Sequence, residues 1–217
     1  PEVRKYLEEE NAYFEYQMKN TKDSQKQIFD EIKGRIKLED QSLPFKDVRY
    51  EYWTKTTEKG NYSIKLRKKI NTNEVEEIWN GDKEKEKLNT EYFGLGDLEV
   101  SFNDKYLAYS LDTKGSEYFT IHVRDIETNT LVTEKIEDTS GSIMFSLDDK
   151  FIFYSKLDEN HRPRKIFRHE IGKPIKDDIL IFEEKTKAFT VGIGLTSDEK
   201  YYLITSSDHN TTEKYYF

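Results

Sequence analysis

A Ser-Gly-Ser segment and four histidines are the residues of this sequence whose types could support catalysis. A serine that performs acyl transfer sits in a sharp strand–turn–helix elbow, G-x-S-x-G, with His and Asp partners elsewhere in the chain. Ser140-Gly141-Ser142 lacks the glycine that should lie two residues past a serine. We therefore predict a turn before a strand at this point, and we expect no catalytic residue in this chain.

Metal binding is the second kind of chemistry that the histidines could support. Metal sites need ligands that share a face, such as two histidines four residues apart on a helix. The histidines are His122, His161, His169 and His209. They form no such pair, so we expect structural or surface roles and no metal. No phosphate-binding glycine loop is present in the sequence either, and no cofactor is expected.

A basic cluster in HRPRKIFRHE and a glutamate in KGSEY are the remaining candidates for a functional surface. The cluster consists of Arg162, Arg164 and Arg168. It could contact another domain or a substrate carboxylate, although its place on a strand and its turn favours surface charge. Glu117 could lie at a domain interface, and the sequence leaves its role open.

Aspartates at predicted strand turns have a simpler interpretation. Asp side chains in turns accept hydrogen bonds from nearby backbone amides. We expect Asp148-Asp149 and Asp177-Asp178 to cap local amides in this way. Asp112 and Asp158 end equivalent segments, so we expect them to make the same turn contact.

The elements that position these residues are organised as a repeat. The three copies are SFNDKYLAYSLD at 101–112, SLDDKFIFYSKLD at 146–158 and TSDEKYYLITSSD at 196–208. Their lysines, Lys105, Lys150 and Lys200, are separated by 45 and 50 residues. Short strands that recur at this period indicate propeller blades. The alternative is three unrelated hairpins that share turn chemistry.

The predicted fold is mainly β: a partial β-propeller of about three blades plus part of a fourth, preceded by an N-terminal α-helical extension. The predicted boundaries are 1–45 for the extension and its linker and 46–217 for the truncated propeller. The blades are predicted at about 47–90, 91–137, 138–185 and, incomplete, 186–217. Because the last unit stops within a blade, we expect the chain to be a piece of a longer protein.

The helical extension is predicted from two apolar stripes. The first lies on a helix over 1–19, and the second follows the polar stretch Asn20–Asp23 in a helix that begins near Ser24, where Ser24 and Gln27 fit a capping box. Mutual packing or a partner surface outside this chain could cover these stripes. We expect a loop over 39–47 and a charged connection over 81–89.

Composition excludes several classes of partner. The 217 residues have a net charge of −8 and no basic stripe, so nucleic acid is an unexpected partner. No apolar run approaches the roughly 20 residues of a membrane span, so no membrane association is expected. The sequence contains no Cys, which excludes disulfides and is compatible with a cytoplasmic protein.

Several stretches of the sequence follow the pattern of one known family. The shorter ones are EVRKYLEEENAYFEYQM at 2–18, KGRIKLEDQSLPF at 33–45 and YFGLG at 92–96. The longer ones are AYSLDTKGSEYFTIHVRDIETNTLV at 108–132 and IEDTSGSIMFSLDDKFIFYSKLDENHRPRKIFRHEIG at 136–172. Together they resemble the oligopeptidase B (protease II) branch of the prolyl oligopeptidase family of serine peptidases, and the resemblance runs over nearly the whole chain.

The resemblance implies a helical extension, a seven-bladed propeller and then a C-terminal α/β-hydrolase domain that carries the catalytic triad. It also implies an endopeptidase that cleaves short peptides after Arg or Lys, with the propeller restricting entry by size. This chain would be the extension plus the first half of the propeller, inactive alone and able to self-associate through exposed blade edges. The alternative is a stand-alone propeller scaffold without enzymatic activity.

Overall fold

The computed structural model describes residues 2–217, so Pro1, the first residue of the predicted helical extension, lies outside it. The chain forms two compact units, one that ends at Asp82 and one that begins at Lys83. The helices are α1 (Glu2–Met18), α2 (Lys22–Gly34) and α3 (Gly81–Leu88). None of the described helices is long and apolar enough to cross a membrane.

Fourteen strands make up most of the ordered backbone described at 2–217. They are β1 (Phe45–Asp47), β2 (Tyr50–Lys55), β3 (Ile64–Lys69), β4 (Val75–Asn80), β5 (Gly94–Val100), β6 (Tyr106–Asp112), β7 (Phe119–Asp125), β8 (Ile136–Phe145), β9 (Phe151–Leu157), β10 (Pro163–Glu170), β11 (Ile179–Glu183), β12 (Thr190–Leu195), β13 (Tyr202–Ser207) and β14 (Thr212–Tyr216). They form three antiparallel sheets, β1–β4, β5–β11 and β12–β14, each with its strands in chain order. The prediction of a mainly β chain behind N-terminal helices is confirmed.

The three repeated turns are built from the same hydrogen bonds. The first hydroxyl of each turn donates to the side chain two residues on at 2.7–2.8 Å and accepts from the amide five residues on at 2.8–3.1 Å. Those hydroxyls belong to Ser101, Ser146 and Thr196. The fourth residues have left-handed φ values of 57°, 55° and 56°, at Asp104, Asp149 and Glu199. The shared sequence therefore encodes a shared local structure.

The start of α2 differs from the prediction. The helix begins at Lys22, and its N-cap Thr21 makes no side-chain capping hydrogen bond. A single 3₁₀ turn, Lys19–Thr21, carries the chain directly from α1 into α2. The capping box at Ser24 is wrong because the backbone is already helical there, and the stretch Asn20–Asp23 does not separate the helices by a loop.

Two short elements were not predicted. β1 lies inside the expected loop and pairs with β2, while α3 replaces the expected charged connection. α3 has no apolar stripe, since its sequence GDKEKEKL is almost entirely charged. Its helix is supported instead by the Lys87–Glu84 pair at 3.0 Å and by a buried contact of Glu84 described below. Periodicity cannot detect a helix that is anchored through a charge.

β8 is one strand of ten residues, where the sequence predicts separate strands at 131–136 and 142–145. Leu131 makes only an isolated bridge to Arg124. The pairing of β8 with β9 is irregular between Thr139 and Ile143. Gly141 lies there with φ +92°, and a Cβ at this position would approach the Phe119 ring to 2.9 Å. Gly141 lets β8 change its pairing partner from β7 to β9 without an intervening loop.

The described residues of the second unit include two clusters of buried hydrophobic side chains. The larger one lies on β6–β9 and contains Ala108, Ile121, Val123, Ile136, Ile143, Phe145, Ile152 and Tyr154. The smaller one joins β10 to β12 and β13 through Ile166, Val191 and Ile204. Burying side chains of this size stabilises the fold by about 1.5–3 kcal/mol each. The side chains buried on these strands therefore provide the hydrophobic stabilisation of the second unit.

Candidate functional site

His122 is buried inside β7, and its environment keeps it neutral. Its ring stacks on Tyr109 with a centroid distance of 5.1 Å and an interplanar angle of 11°. Burial, reinforced by the charge of Lys135, lowers the pKa of His122 to about 4. Burial raises the pKa of Tyr109 to about 12. Both groups are uncharged at neutral pH and serve as packing elements.

His169 forms the only buried histidine–carboxylate pair that the structure describes within residues 2–217. Its Nδ1 lies 2.6 Å from Asp178 Oδ1, and the Tyr154 hydroxyl donates to Asp178 Oδ2 at 2.7 Å. An imidazole held by a carboxylate supplies two of the three members of a hydrolytic triad. The His169 side chain, however, is 0% exposed, so no substrate can reach it. The local-cap prediction for Asp178 is wrong, because tertiary packing brings these rings to the carboxylate.

His161 lies at the end of the sheet, close to the glutamate whose role the sequence left open. His161 Nε2 is 3.8 Å from Glu117 Oε2, and the Tyr118 ring meets the imidazole edge-on at 4.4 Å. Both His161 and Glu117 have left-handed φ values, 62° and 58°. Such strain in non-glycine residues is common at functional sites.

A cleft of about 430 Å³ opens beside this pair. We name it the loop cleft; its lining includes Tyr92, Leu95, Glu117, Phe119, Leu157 and His161. It lies where β5 begins and where the β6–β7 and β9–β10 loops end. The cleft combines apolar walls with a carboxylate and an imidazole, so it can bind or position a group. The lining also includes Ser140, whose hydroxyl lies 2.6 Å from that of Ser155, so the described residues of the cleft show no hydroxyl paired with the imidazole.

The three arginines of the basic cluster are not brought together. Arg162 Nη1 donates to the carbonyl of Ala188 at 3.3 Å, and Arg164 Nη2 donates to the carbonyl of Glu184 at 2.5 Å. The guanidinium of Arg168 lies 4.3 Å from the centre of the Phe151 ring. Each arginine therefore has its own partner within the chain, and the three do not form a shared anion site.

Ser140 and Ser142 lie inside β8, so the predicted turn before a strand is wrong: the segment is strand throughout and does not form a nucleophile elbow. The Ser140 hydroxyl is 2.6 Å from that of Ser155. Within residues 2–217, no group of three or more His, Asp or Glu residues could hold a metal ion. His209 is exposed in the β13–β14 turn. The absence of catalytic, cofactor and metal residues stays a prediction.

A buried ion pair that the sequence did not suggest holds α3. Arg124 Nη1 donates to Glu84 Oε1 at 2.9 Å, and their side chains are only 9% and 12% exposed. The guanidinium also lies 5.4 Å from the centre of the Tyr109 ring. Burial pushes the pKa of Glu84 upward, but hydrogen bonds from Arg124 and Lys87 outweigh it and hold that pKa below its ordinary value. Glu84 is therefore ionised at neutral pH.

The prediction for Asp112 and Asp158 is confirmed. Asp112 Oδ1 accepts from the amides of Lys114 and Gly115 at 2.8 and 3.0 Å, and Oδ2 accepts from that of Glu117 at 2.7 Å. Asp158 Oδ1 accepts from the amides two and four residues on, at 2.9 and 3.1 Å. These bonds shape the loops that border the loop cleft.

Asp112→Asn is expected to destabilise the protein by about 1–2 kcal/mol at pH 7. Burial favours the neutral carboxyl, but the amide hydrogen bonds prevail and lower the pKa of Asp112. Its stabilisation is therefore present above the unfolded-state pKa of about 4 and is lost as the pH falls through the folded-state value. Urea unfolding of both proteins between pH 7 and pH 3 should show the difference shrinking with acid. Exposed Asp138→Asn is the control, and an equal, pH-independent loss in both variants would contradict the prediction.

The two N-terminal helices carry an exposed apolar surface. No described residue of α1 or α2 is buried. The large exposed side chains of the two helices are Val3, Tyr6, Leu7, Tyr13, Phe14, Tyr16, Ile28, Phe29 and Ile32. Leu7 and Phe14, which lie seven residues apart on the same face of α1, are 56% and 55% exposed. We call this surface the helical stripe.

Known proteins share the sequence pattern and the fold of this chain. A family model described as the prolyl oligopeptidase N-terminal beta-propeller domain matches residues 1–217. The chain belongs to the prolyl oligopeptidase family. Two curated relatives of this prolyl oligopeptidase propeller are dipeptidyl aminopeptidase BI of Pseudoxanthomonas mexicana and protease 2 of Moraxella lacunata. Each is 28% identical, over 94% and 98% of the chain, and the chain spans only 30% and 32% of their lengths.

Solved structures of the family share the fold along the whole chain. Oligopeptidase B of Leishmania major gives a TM-score of 0.89 at 24% identity, covering 100% of this chain and 31% of that protein. Oligopeptidase B of Trypanosoma brucei, solved with covalently bound antipain, gives a TM-score of 0.87 at 26% identity with the same coverage. The resemblance to oligopeptidase B that the sequence suggested is confirmed, and this prolyl oligopeptidase chain corresponds to the N-terminal part of those enzymes.

Proposed function

We propose that this chain is the N-terminal propeller part of an oligopeptidase B-like serine endopeptidase that cleaves short peptides after Arg or Lys. The observation that carries the proposal is the match to two oligopeptidase B structures over all of this chain, with TM-scores of 0.89 and 0.87. The parent would carry its nucleophile, base and orienting carboxylate in a C-terminal α/β-hydrolase domain. The proposed preference for Arg or Lys is inferred from the likeness of this chain to oligopeptidase B.

The part played by this chain is to control access by size. A wall of blades over a hydrolase active site admits short peptides and excludes folded proteins, which cannot pass between packed sheets. The net charge of −8 argues against nucleic acid, and the lack of Cys fits a cytoplasmic parent.

The helical stripe supports a partner within the same parent chain. An apolar surface of this extent is stabilised when another surface covers it. We assign the C-terminal hydrolase domain to this position, because both helices leave their apolar side chains exposed. Without that domain, the stripe and the strand edges are free to pair with a second copy of the chain.

The isolated chain of 217 residues is expected to be inactive and to self-associate. An Arg-ester reporter should remain intact with this chain, whereas the parent that contains the hydrolase domain should cleave it. Sedimentation of the same preparation should show a mean mass that rises with protein concentration. Hydrolysis that copurifies in proportion to the isolated chain would overturn the assignment of the chemistry to another domain. A monomer at all concentrations would overturn the self-association.

A further inference from the structure

The repeated turns use the same backbone amide to contact the blade that follows. In the first turn, the amides of Phe102 and Asn103 donate to Asp149, to Oδ1 at 2.8 Å and to Oδ2 at 2.7 Å. Asp149 lies in the second turn, 46 to 47 residues later in the chain, and is 8% exposed. Its predicted local cap is therefore wrong: the carboxylate joins two successive repeats.

The second turn repeats this contact with a different acceptor. The amide of Leu147, at the position equivalent to Phe102, donates to the hydroxyl of Tyr202 at 2.9 Å. Tyr202 belongs to β13 of the following sheet and also packs on Phe153, with ring centroids 5.1 Å apart. The amide position is the same in both turns, while the acceptor is a carboxylate in one and a phenol in the other.

The third turn has the same internal hydrogen bonds but leaves this position open. Among the hydrogen bonds described for residues 2–217, the amide of Ser197, at the position equivalent to Phe102 and Leu147, donates to no acceptor, whereas the amide of Asp198 contacts its own carboxylate. Ser197 is exposed, and nearby Tyr201 is 47% exposed, whereas its equivalents Tyr106 and Phe151 are partly buried. Tyr201 meets Tyr216 edge-on at 5.6 Å, so an aromatic surface adjoins the open amide.

We propose that the amide of Ser197 is a docking position for a side-chain oxygen of a further blade, which also covers Tyr201 and Tyr216. The occupant is an acceptor because a backbone N–H can only donate, as the equivalent amides do to Asp149 and Tyr202. In the two filled turns the acceptor lies 47 and 55 residues after the donor, so the occupant should lie on a segment at a similar distance beyond Ser197. The proposal rests on the proposed continuation of the propeller and not on peptidase activity.

Hydrogen exchange of single amides, measured by NMR, tests the two filled positions with adjacent matched variants. Asp149→Asn should speed exchange at Phe102 and Asn103 by about tenfold, because it removes the charge and turns an amide donor toward them. Asp148→Asn should not, since Asp148 bonds only within its own turn, to Ser146 and Lys150. Tyr202→Phe should likewise speed exchange at Leu147, and Tyr201→Phe should leave it unchanged.

The open position is tested with the chain extended by the next roughly 50 residues of its gene. Exchange at Ser197 should slow by about tenfold in the extended chain, while the exposed amide of Lys59 serves as an unaffected reference. Equal effects within each variant pair, an unchanged Ser197, or a gene that ends at Phe217 would overturn the proposal. A parent protein without peptidase activity would instead count against the proposed function. The exchange rates expected for these amides do not depend on that activity. If Asp149→Asn does not fold, the Tyr202 pair still decides the docking role.

Discussion

Asp178→Ala is expected to lower the free energy of unfolding by about 3–5 kcal/mol. The carboxylate accepts hydrogen bonds from His169 at 2.6 Å and from Tyr154 at 2.7 Å, and both rings are buried, at 0% and 1% exposed. Its removal leaves two buried donors without partners, and each such group costs about 1–3 kcal/mol. Urea unfolding followed by fluorescence measures the loss.

The neighbouring residue provides the control for this variant. Asp177 is exposed in the preceding 3₁₀ turn, so Asp177→Ala should change stability by no more than about 0.5 kcal/mol. Asp178→Asn retains one acceptor and should fall between the two alanine variants. Equal stabilities for Asp177→Ala and Asp178→Ala would show that the buried contacts of Asp178 with His169 and Tyr154 contribute nothing to the stability of the fold. The pKa of Tyr154, which burial and the Asp178 bond raise, should drop in Asp178→Ala.

Glu84→Ala should destabilise the second unit by about 3–5 kcal/mol, because it leaves the guanidinium of Arg124 buried without its carboxylate. The two groups are 2.9 Å apart and nearly inaccessible to solvent. The exposed residue Glu86, two positions further along α3, is the control, and Glu86→Ala should have little effect. Denaturant unfolding at pH 7 compares the two variants.

A double substitution distinguishes the ion pair from simple loss of helix. Glu84→Leu with Arg124→Met replaces both charges by apolar groups of similar length. It should be more stable than either single variant, because no unpaired charge remains. Since the pKa of Glu84 is lowered in the folded protein, the native pair stabilises above the unfolded-state pKa and loses its contribution as the pH falls through the folded value. A double variant as unstable as the worse single one would contradict this account.

Strands were the most predictable elements, because period-two alternation is visible in the sequence itself. The sequence predicts a strand at 106–112, and β6 matches it to the residue; the strand predicted at 131–136 does not form, since Leu131 makes only an isolated bridge and β8 begins at Ile136. The failures share one cause. α3 is anchored by a charge from β7, and β8 continues through Gly141 because its partners change along its length. Neither feature has a local signature.

The sequence identified individual residues of the candidate functional site but not how they are arranged in space. Arg162, Arg164 and Arg168 look like a cluster in the sequence, yet each guanidinium has a separate partner within the chain. Glu117 and His161 are 44 residues apart in the sequence and lie 3.8 Å apart at the loop cleft. Such a juxtaposition depends on which hairpin ends share one edge of a sheet, and that is decided by strand pairing over long distances.

The sequence by itself determined the repeated turns. All the hydrogen bonds that close Ser101–Tyr106 and its two copies lie within six residues, so local composition suffices to specify them. The tertiary structure alone decided what the turns and aspartates hold: Asp149 bonds a turn of the preceding repeat, and Asp178 bonds two buried rings. A carboxylate accepts from whichever donors packing leaves unsatisfied beside it, and in a folded sheet those donors come from distant parts of the chain.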